Sequence, residues 1–354
     1  MLVIWKRTPT ASMLPAEPFG VALRAGLRYA TQASVLQSVL IKAASFFTFA
    51  SALTALLPIV VNRELQASAG TYGLLLGCVG IGAITGALLL PRLRARLDPD
   101  RLVLIGTLVY AGCMLALALL RNIPALYVVS LVNGFAWITV LSSLQIAAQT
   151  SVPAWVRARA LALYIVVFSC GMAIGSLGWG TLAQQAGTPT ALLVAAAGTV
   201  LAAFFGLRFR LGEAANVNVT PSGHWPQPVV VDDIEGDRGP VLVTIEYRIA
   251  LDHRAQFLRL MRTLGRSRRR DGALQWGVVE DTTEPGTYLE YFLDGSWVEH
   301  LRLHTRVTES ERQLQDQIRQ LLADPDHDPS VRHFVGGAPG TALRQDPARA
   351  HGLG

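Results

Sequence analysis

Six long apolar runs, separated by short polar segments, occupy most of the chain up to residue 207. Each run has the roughly 20 residues that a helix needs to cross the hydrocarbon core of a bilayer. The runs lie near 37–61, 71–91, 102–120, 124–147, 160–182 and 189–207. This pattern predicts an all-α membrane bundle of six transmembrane helices over 37–208.

A shorter amphipathic pattern precedes the first run. Within 1–36, the apolar residues Phe19, Leu23 and Leu27 repeat every four positions, with arginines beside them. A helix with one apolar and one basic face suits the boundary between lipid headgroups and acyl chains. We therefore expect 1–36 to be a cytoplasmic segment that contains an interfacial helix.

The period of the pattern changes after residue 240. Alternate residues from Val241 onward are apolar, which predicts a strand, and a helical stripe follows. Two further strands are joined by the turn Glu284–Gly286. Capping-box sequences that begin at Ser296 and Thr308 predict helices before a last strand. The order β-α-β-β-α-β predicts a cytoplasmic ferredoxin-like α+β domain over 241–336.

Two segments show neither the helical nor the strand periodicity of apolar residues. Residues 209–240 are rich in proline and carry an acidic run, which predicts a linker. Residues 337–354 are rich in Gly, Pro, Ala and Arg, and we expect them to form a disordered tail.

Composition agrees with a membrane protein. Apolar residues make up 51% of the 354 residues and charged residues 16%, with a mean hydropathy of +0.37. Soluble domains carry about 25% charged residues. Residues 1–207 hold 13 Lys and Arg against 4 Asp and Glu, whereas the rest of the chain holds 18 against 21. Because the positive excess lies in the apolar part, it predicts contact with the lipid bilayer and no nucleic-acid partner.

The basic residues predict an orientation. Twelve of them lie on the side of the membrane that would hold both chain ends, and only Arg63 and Arg121 lie on the other. The positive-inside rule then places both termini of a multi-pass protein in the cytoplasm. The loop after the second span contributes Arg92, Arg94 and Arg96 to this cytoplasmic side.

The spans carry few polar side chains. Four residues of the fourth span are candidates for the lining of a transport pathway: Asn133, Trp137, Ser142 and Gln145. Hydrogen bonding between helices is an equal alternative. The six runs hold no Asp or Glu that would couple transport to protons, and we expect Lys42 to snorkel to the interface. Three G-x-x-x-G pairs, at 73/77, 82/86 and 171/175, predict close helix packing.

The α+β region offers four pocket candidates: Trp276, Trp297, His300 and His304. The two histidines lie one helical turn apart, but no third ligand accompanies them in a known metal-binding spacing. We expect a solvated helix face, no metal and no cofactor. The tryptophans are expected in the core or a dimer interface. The arginines between 266 and 270 are expected to contact anionic lipid or solvent.

Several stretches, in their order along the chain, resemble a known transporter family. They are Leu14–Glu17, Gly26–Tyr29, Tyr72–Gly77, Pro91–Arg96, Arg157–Leu161, Thr220–Pro226, Arg268–Ala273 and Trp297–Arg302. The chain resembles the C-terminal half of a major facilitator superfamily transporter, in the branch of transmembrane secretion effectors that includes enterobactin-exporter-like proteins. This resemblance implies a fold of two six-helix halves with the substrate site between them. The chain is expected to hold only the second half, as a truncated or split gene product, through a wrongly assigned start, or as a half-transporter whose partner supplies the missing N-terminal six-helix half.

The last part of the chain resembles antibiotic biosynthesis monooxygenase-like domains, which are dimeric α+β barrels. Some relatives oxidise aromatic polyketides without a metal or flavin. The resemblance therefore implies a homodimer through this domain.

Three functions follow as hypotheses. The favoured one is efflux of a small-molecule substrate, siderophore-like or drug-like, across a bacterial inner membrane, with no enzymatic activity. A dimerisation or regulatory role for the α+β domain comes second. A membrane-anchored, cofactor-free monooxygenase is the third.

Overall fold

The structure is a computed structural model that describes residues 19–211, 218–226, 228, 234–324 and 328–336. It divides into a membrane unit, Ala33–Val219, and an α+β unit, Met1–Gln32 with Thr220–Gly354. The predicted disordered tail 337–354 lies outside the described residues, as do residues 1–18 and part of the predicted linker 209–240.

Six of the first seven helices form the membrane unit. In chain order the seven are α1 (Phe19–Gln32), α2 (Ser34–Ile59, continued by a π-helical turn, Val60–Glu64), α3 (Ala69–Arg94), α4 (Pro99–Leu119), α5 (Ile123–Thr150), α6 (Arg157–Ala186) and α7 (Thr188–Gly206). Helices α2 to α7 are long and apolar enough to cross a membrane, as predicted. Local capping sets where two of them begin. Ser68 accepts the N–H of Thr71 before α3, and Asn122 accepts that of Ala125 before α5.

Glycine lets two pairs of membrane helices approach closely. A Cβ at Gly82 of α3 would overlap the backbone of α5, and a Cβ at Gly175 of α6 would overlap the backbone of α2. The predicted packing role of the pairs 82/86 and 171/175 is therefore confirmed. A Cβ at Gly73 or Gly77 would meet no atom of the described chain within 4 Å.

The α+β unit contains an antiparallel sheet of four strands in the order β2-β3-β1-β4. Its elements are β1 (Val241–Arg248), α8 (Arg254–Asp271), β2 (Gln275–Glu280), β3 (Thr287–Asp294), α9 (Trp297–Arg306), α10 (Glu309–Arg319) and β4 (Ser330–Val335). Alternate residues of β1 are buried because one face of the sheet forms a core with the helices. The strand order and the helical connections are those of the predicted ferredoxin-like fold.

Helix α1 belongs to the α+β unit, where it lies along α8. Tyr29 is buried there, and the guanidinium of Arg270 lies 5.4 Å from its ring centre. Leu23 and Leu27 lie on another face and are about half exposed. The sequence pattern indicated only this second face, so the packing of α1 on α8 is a new finding. Lipid contact through Leu23 and Leu27 stays a prediction.

We predict that Gly82→Leu destabilises the membrane unit, because the backbone of α5 leaves no room for a side chain there. Overpacking of this kind costs about 1–3 kcal/mol. The detergent-solubilised chain should therefore unfold at a lower temperature. Gly112→Leu on α4 is the matched control, since a side chain at Gly112 meets open space. Equal unfolding temperatures for the two variants would contradict the close packing of α3 on α5.

Candidate functional site

Aromatic side chains from four membrane helices meet around Trp137 of α5. Four ring centres lie within 6.4 Å of its own: Phe46, Phe47, Tyr110 and Phe168. Trp137 is only half-buried by the described chain. The cluster therefore joins the packed interior of the bundle to a surface that a ligand or another helix can reach.

The four pathway candidates of α5 do not share one face. Asn133 and Trp137 lie one turn apart on the same side, whereas Ser142 lies on the opposite side and Gln145 is exposed. Asn133 is 5% exposed, and its amide oxygen accepts no hydrogen bond from the described residues. An unpaired amide is costly in hydrocarbon. Asn133 is therefore the candidate that gains most from a polar partner, either water or a substrate.

Lys42 forms a buried ion pair in the membrane unit. It is 8% exposed and pairs with Asp100 in the first turn of α4. The Asp100 carboxylate also accepts the backbone N–H of Leu211 at 2.8 Å. The sequence did not indicate this ion pair, and the position of Lys42 at the membrane interface stays a prediction. The third span begins at Pro99, earlier than predicted, and so brings a carboxylate into the bundle.

The three predicted loop arginines lie where α3 ends. Arg92 and Arg94 are in its last turn, and Arg96 follows two residues later. Arg94 donates to the Ser143 hydroxyl oxygen on α5 at 3.4 Å, while Arg92 and Arg96 are exposed. Positive side chains near a helix C-terminus stabilise its unpaired carbonyl groups. These arginines therefore support the end of α3 as well as the charge of the loop.

Three histidines converge in the α+β unit. His300 and His304 lie on α9, and His333 joins them from β4, with nitrogens of all three within 4.8 Å of one another. Nε2 of His300 lies 3.2 Å from Nε2 of His304. Nδ1 of His300 lies 2.9 Å from a carboxylate oxygen of Asp294. His300 is fully buried, so the expected solvated helix face is wrong. The sheet supplies a third histidine that the helical spacing did not indicate.

Burial keeps two of these imidazoles neutral. Desolvation, and then the neighbouring imidazole of His300, lower the pKa of His304 to about 4 and that of His333 to about 4. At neutral pH each side chain therefore has one nitrogen lone pair that can accept a proton or bind a metal ion.

The histidines line a cavity of about 480 Å³. The guanidinium of Arg268 also borders it and lies 4.6 Å from the ring centre of Trp225 and 4.9 Å from that of Phe292. Further lining residues are His224, Tyr247, Ile245 and Gln315. Aromatic walls with a few polar groups suit a small organic ligand.

A buried carboxylate holds one side of this cavity in place. Glu290 of β3 is fully buried and accepts hydrogen bonds from the Tyr247 hydroxyl at 2.8 Å and Nε of Arg268 at 3.1 Å. It also accepts from the indole N–H of Trp276 at 2.9 Å. Burial and the Glu290 charge raise the pKa of Tyr247 well above its usual value, so the phenol remains a donor. The Arg268 charge compensates that of Glu290.

Two of the four predicted pocket residues, His300 and His304, line the cavity. Trp276 is bound to Glu290, and Trp297 is buried with its ring centre 5.4 Å from that of His300. In the part of the chain that the structure describes, both tryptophans pack around the cavity without bordering it.

The acidic residues of β3 were not predicted as site residues from the sequence. Glu290 and Asp294 occupy positions that the alternation along the strand assigns to the core. A buried carboxylate at such a position needs hydrogen-bond donors. An acidic residue at a core position of a strand therefore indicates a buried polar site. Arg268 was expected to contact lipid or solvent, and this is wrong, because it is buried against Glu290.

Comparison with known proteins places the chain among transporters. A family model described as transmembrane secretion effector matches residues 1–339. No curated protein matches the chain. A conserved protein from Methanosarcina mazei Go1 is similar in structure, at 13% identity over 28% of this chain and 93% of that one, with a TM-score of 0.24. A protein assigned as an antibiotic biosynthesis monooxygenase, from Caulobacter crescentus CB15, has 17% identity over 29% and 94%, with a TM-score of 0.26.

We predict that Glu290→Gln loosens the sheet, because it leaves the buried Arg268 without a compensating charge. Breaking a buried pair costs about 3–5 kcal/mol, so amide hydrogens of β1 and β3 should exchange faster in the full-length chain. Glu246→Gln on the other face of β1 is the control, since its contact with Arg248 is 3.8 Å and solvent-exposed. Unchanged exchange in Glu290→Gln would contradict the role of this carboxylate.

Proposed function

This chain belongs to the transmembrane secretion effector family, and we propose that it exports a small molecule, siderophore-like or drug-like, across a bacterial inner membrane. The main support for this proposal is that the family match extends across all six membrane helices. The chain is thus a multi-pass membrane transporter, and efflux is the direction that we propose for it. Asn133 and Trp137 are the residues that we assign to the substrate path.

We further propose that transport needs a second six-helix unit, supplied by another chain or by another segment of a longer protein. Helices α3 and α6 are the spans that the described chain covers least. The share of buried residues in their most apolar stretch is 22% each, against 56% in α2 and in α4. Gly73 and Gly77 of α3, with Gly178 of α6, leave open space in these surfaces. Small residues in lipid let helices of two units approach each other closely.

The proposed orientation places both termini and the α+β unit in the cytoplasm. Arg92, Arg94 and Arg96 at the end of α3 support it, because short basic loops are retained on the cytoplasmic side. The inner membrane is the location that this family and these short loops favour.

For the α+β unit we propose a homodimer that couples two copies of the transporter. Its sheet has an outer face, away from the helices, on which Val279, Leu289 and Phe334 are exposed. Two such faces packed together would remove these apolar side chains from water. We propose this assembly role, rather than catalysis, for the unit. A cofactor-free oxygenation remains the alternative, which the cavity beside His300 favours.

We predict that loss of Trp137 impairs efflux. Deletion of the gene in its source bacterium should raise the retention of at least one compound in a panel of siderophores and drugs. The wild-type chain should restore efflux. Trp137→Ala should leave the rate about tenfold lower, the effect of ~1.4 kcal/mol of lost substrate binding. Phe204→Ala is the control because Phe204 is an exposed aromatic of α7. If deletion changes the retention of no compound, efflux is the wrong function.

We predict that Phe334→Glu separates the dimer, because a charge would be buried in the proposed interface. The mass of the full-length chain in detergent, measured by light scattering, should fall from two copies to one. Leu251→Glu should leave it unchanged, since Leu251 is even more exposed than Phe334 but lies in a turn outside the sheet. A single copy in the wild-type protein would contradict the proposed dimer.

A further inference from the structure

We propose that His300, His304 and His333 form a binding site for a divalent transition-metal ion of the Zn²⁺ class. The three side chains belong to α9 and β4, which pack on the same core of the α+β unit. This site is separate from the transport path that we assign to α5. Metal binding and transport can therefore succeed or fail independently.

The spacing of the nitrogens fits a shared metal ion. A Zn²⁺ ion binds imidazole nitrogens at about 2.0–2.1 Å in a tetrahedral site, which places two such nitrogens about 3.3 Å apart. The Nε2 atoms of His300 and His304 are 3.2 Å apart. A hydrogen bond between these two rings would explain that one distance. It would not explain why His333 presents a third nitrogen within 4.8 Å of both.

Asp294 prepares His300 for this role. Its carboxylate oxygen lies 2.9 Å from Nδ1 of His300, and a carboxylate can only accept. Nδ1 of His300 must therefore carry the proton, which leaves the lone pair on Nε2, 3.2 Å from Nε2 of His304. Metal-binding histidines are characteristically oriented by a carboxylate in this way. Asp294 and His300 are both buried, so this orientation is well fixed.

The surroundings favour a transition metal over Mg²⁺ or Ca²⁺. Three imidazoles suit Zn²⁺, Co²⁺, Ni²⁺ or Cu²⁺, whereas the harder cations select oxygen ligands. Burial keeps His304 and His333 neutral, which is the form that binds metal. All three histidines line the 480 Å³ cavity. A fourth coordination position can therefore be taken by water or by a small oxygen ligand from the cavity, as in zinc sites with three protein ligands.

Titration with Co²⁺ tests the site directly, because bound Co²⁺ gives a visible absorption band that reports its ligands. The full-length chain, purified in detergent without a polyhistidine tag and stripped with a chelator, should bind one Co²⁺, and Zn²⁺ should displace it. His304→Asn and His333→Asn should each weaken binding by at least about tenfold, and Asp294→Asn should weaken it about 10–100-fold. His224→Asn is the control, since His224 lines the same cavity outside the triad.

Two results would overturn the site: no Co²⁺ band with the folded wild-type chain, or equal affinity in the wild type, His304→Asn and His333→Asn. Gel filtration and circular dichroism identify the variants that fold. His333 is half-buried on the edge strand β4, so His333→Asn is the variant that should fold most readily. If His333→Asn is the only triad variant that folds, its affinity for Co²⁺ is compared with that of His224→Asn, and equal affinities would overturn the site.

Discussion

A peptide group finds no hydrogen-bond partner in hydrocarbon, and this constraint determines the architecture of the membrane unit. Within each of the six helices, the backbone N–H and C=O groups bond to one another. What can still vary is how closely the helices pack. Gly175 lets α6 contact the backbone of α2, and the indole N–H of Trp179 donates to the Thr48 carbonyl oxygen at 2.7 Å in the same contact. Charged groups also need partners in such surroundings, and Lys42 and Asp100 neutralise each other at the end of the bundle.

The α+β unit meets the same constraint with a sheet, and one strand contains two of its buried acids. Glu290 and Asp294 lie four residues apart on the core side of β3. Glu290 accepts from Tyr247, Arg268 and Trp276, which border or support the cavity, and Asp294 orients His300. Because β3 lies between β1 and β2, its register fixes both groups relative to each other. Strand β3 thus supplies one carboxylate that supports the cavity and one that orients the histidine triad.

Periodicity in the sequence was sufficient to predict the helices, the strands and the ferredoxin-like order, because it reports which face of an element is buried. Periodicity does not report which residues of other elements that buried face contacts. The pairing of Lys42 with Asp100 spans 58 positions, and His333 reaches the histidines of α9 only because β4 is placed beside β1. The packing of α1 on α8 was missed for the same reason. Polarity alone indicates Ser142 and Gln145, and their positions around α5 separate them from Asn133.

A single six-helix unit leaves most of the surface of α3 and α6 exposed. The proposed transport path depends on whether a second six-helix unit packs against these two helices. The most direct measurement is electron cryo-microscopy of the particle that contains this chain, extracted from its own membrane in polymer-bounded lipid discs. We expect a second six-helix unit against α3 and α6, with Asn133 and Trp137 facing the space between the two units. A single six-helix bundle with ordered lipid along both helices would contradict the proposed transport mechanism.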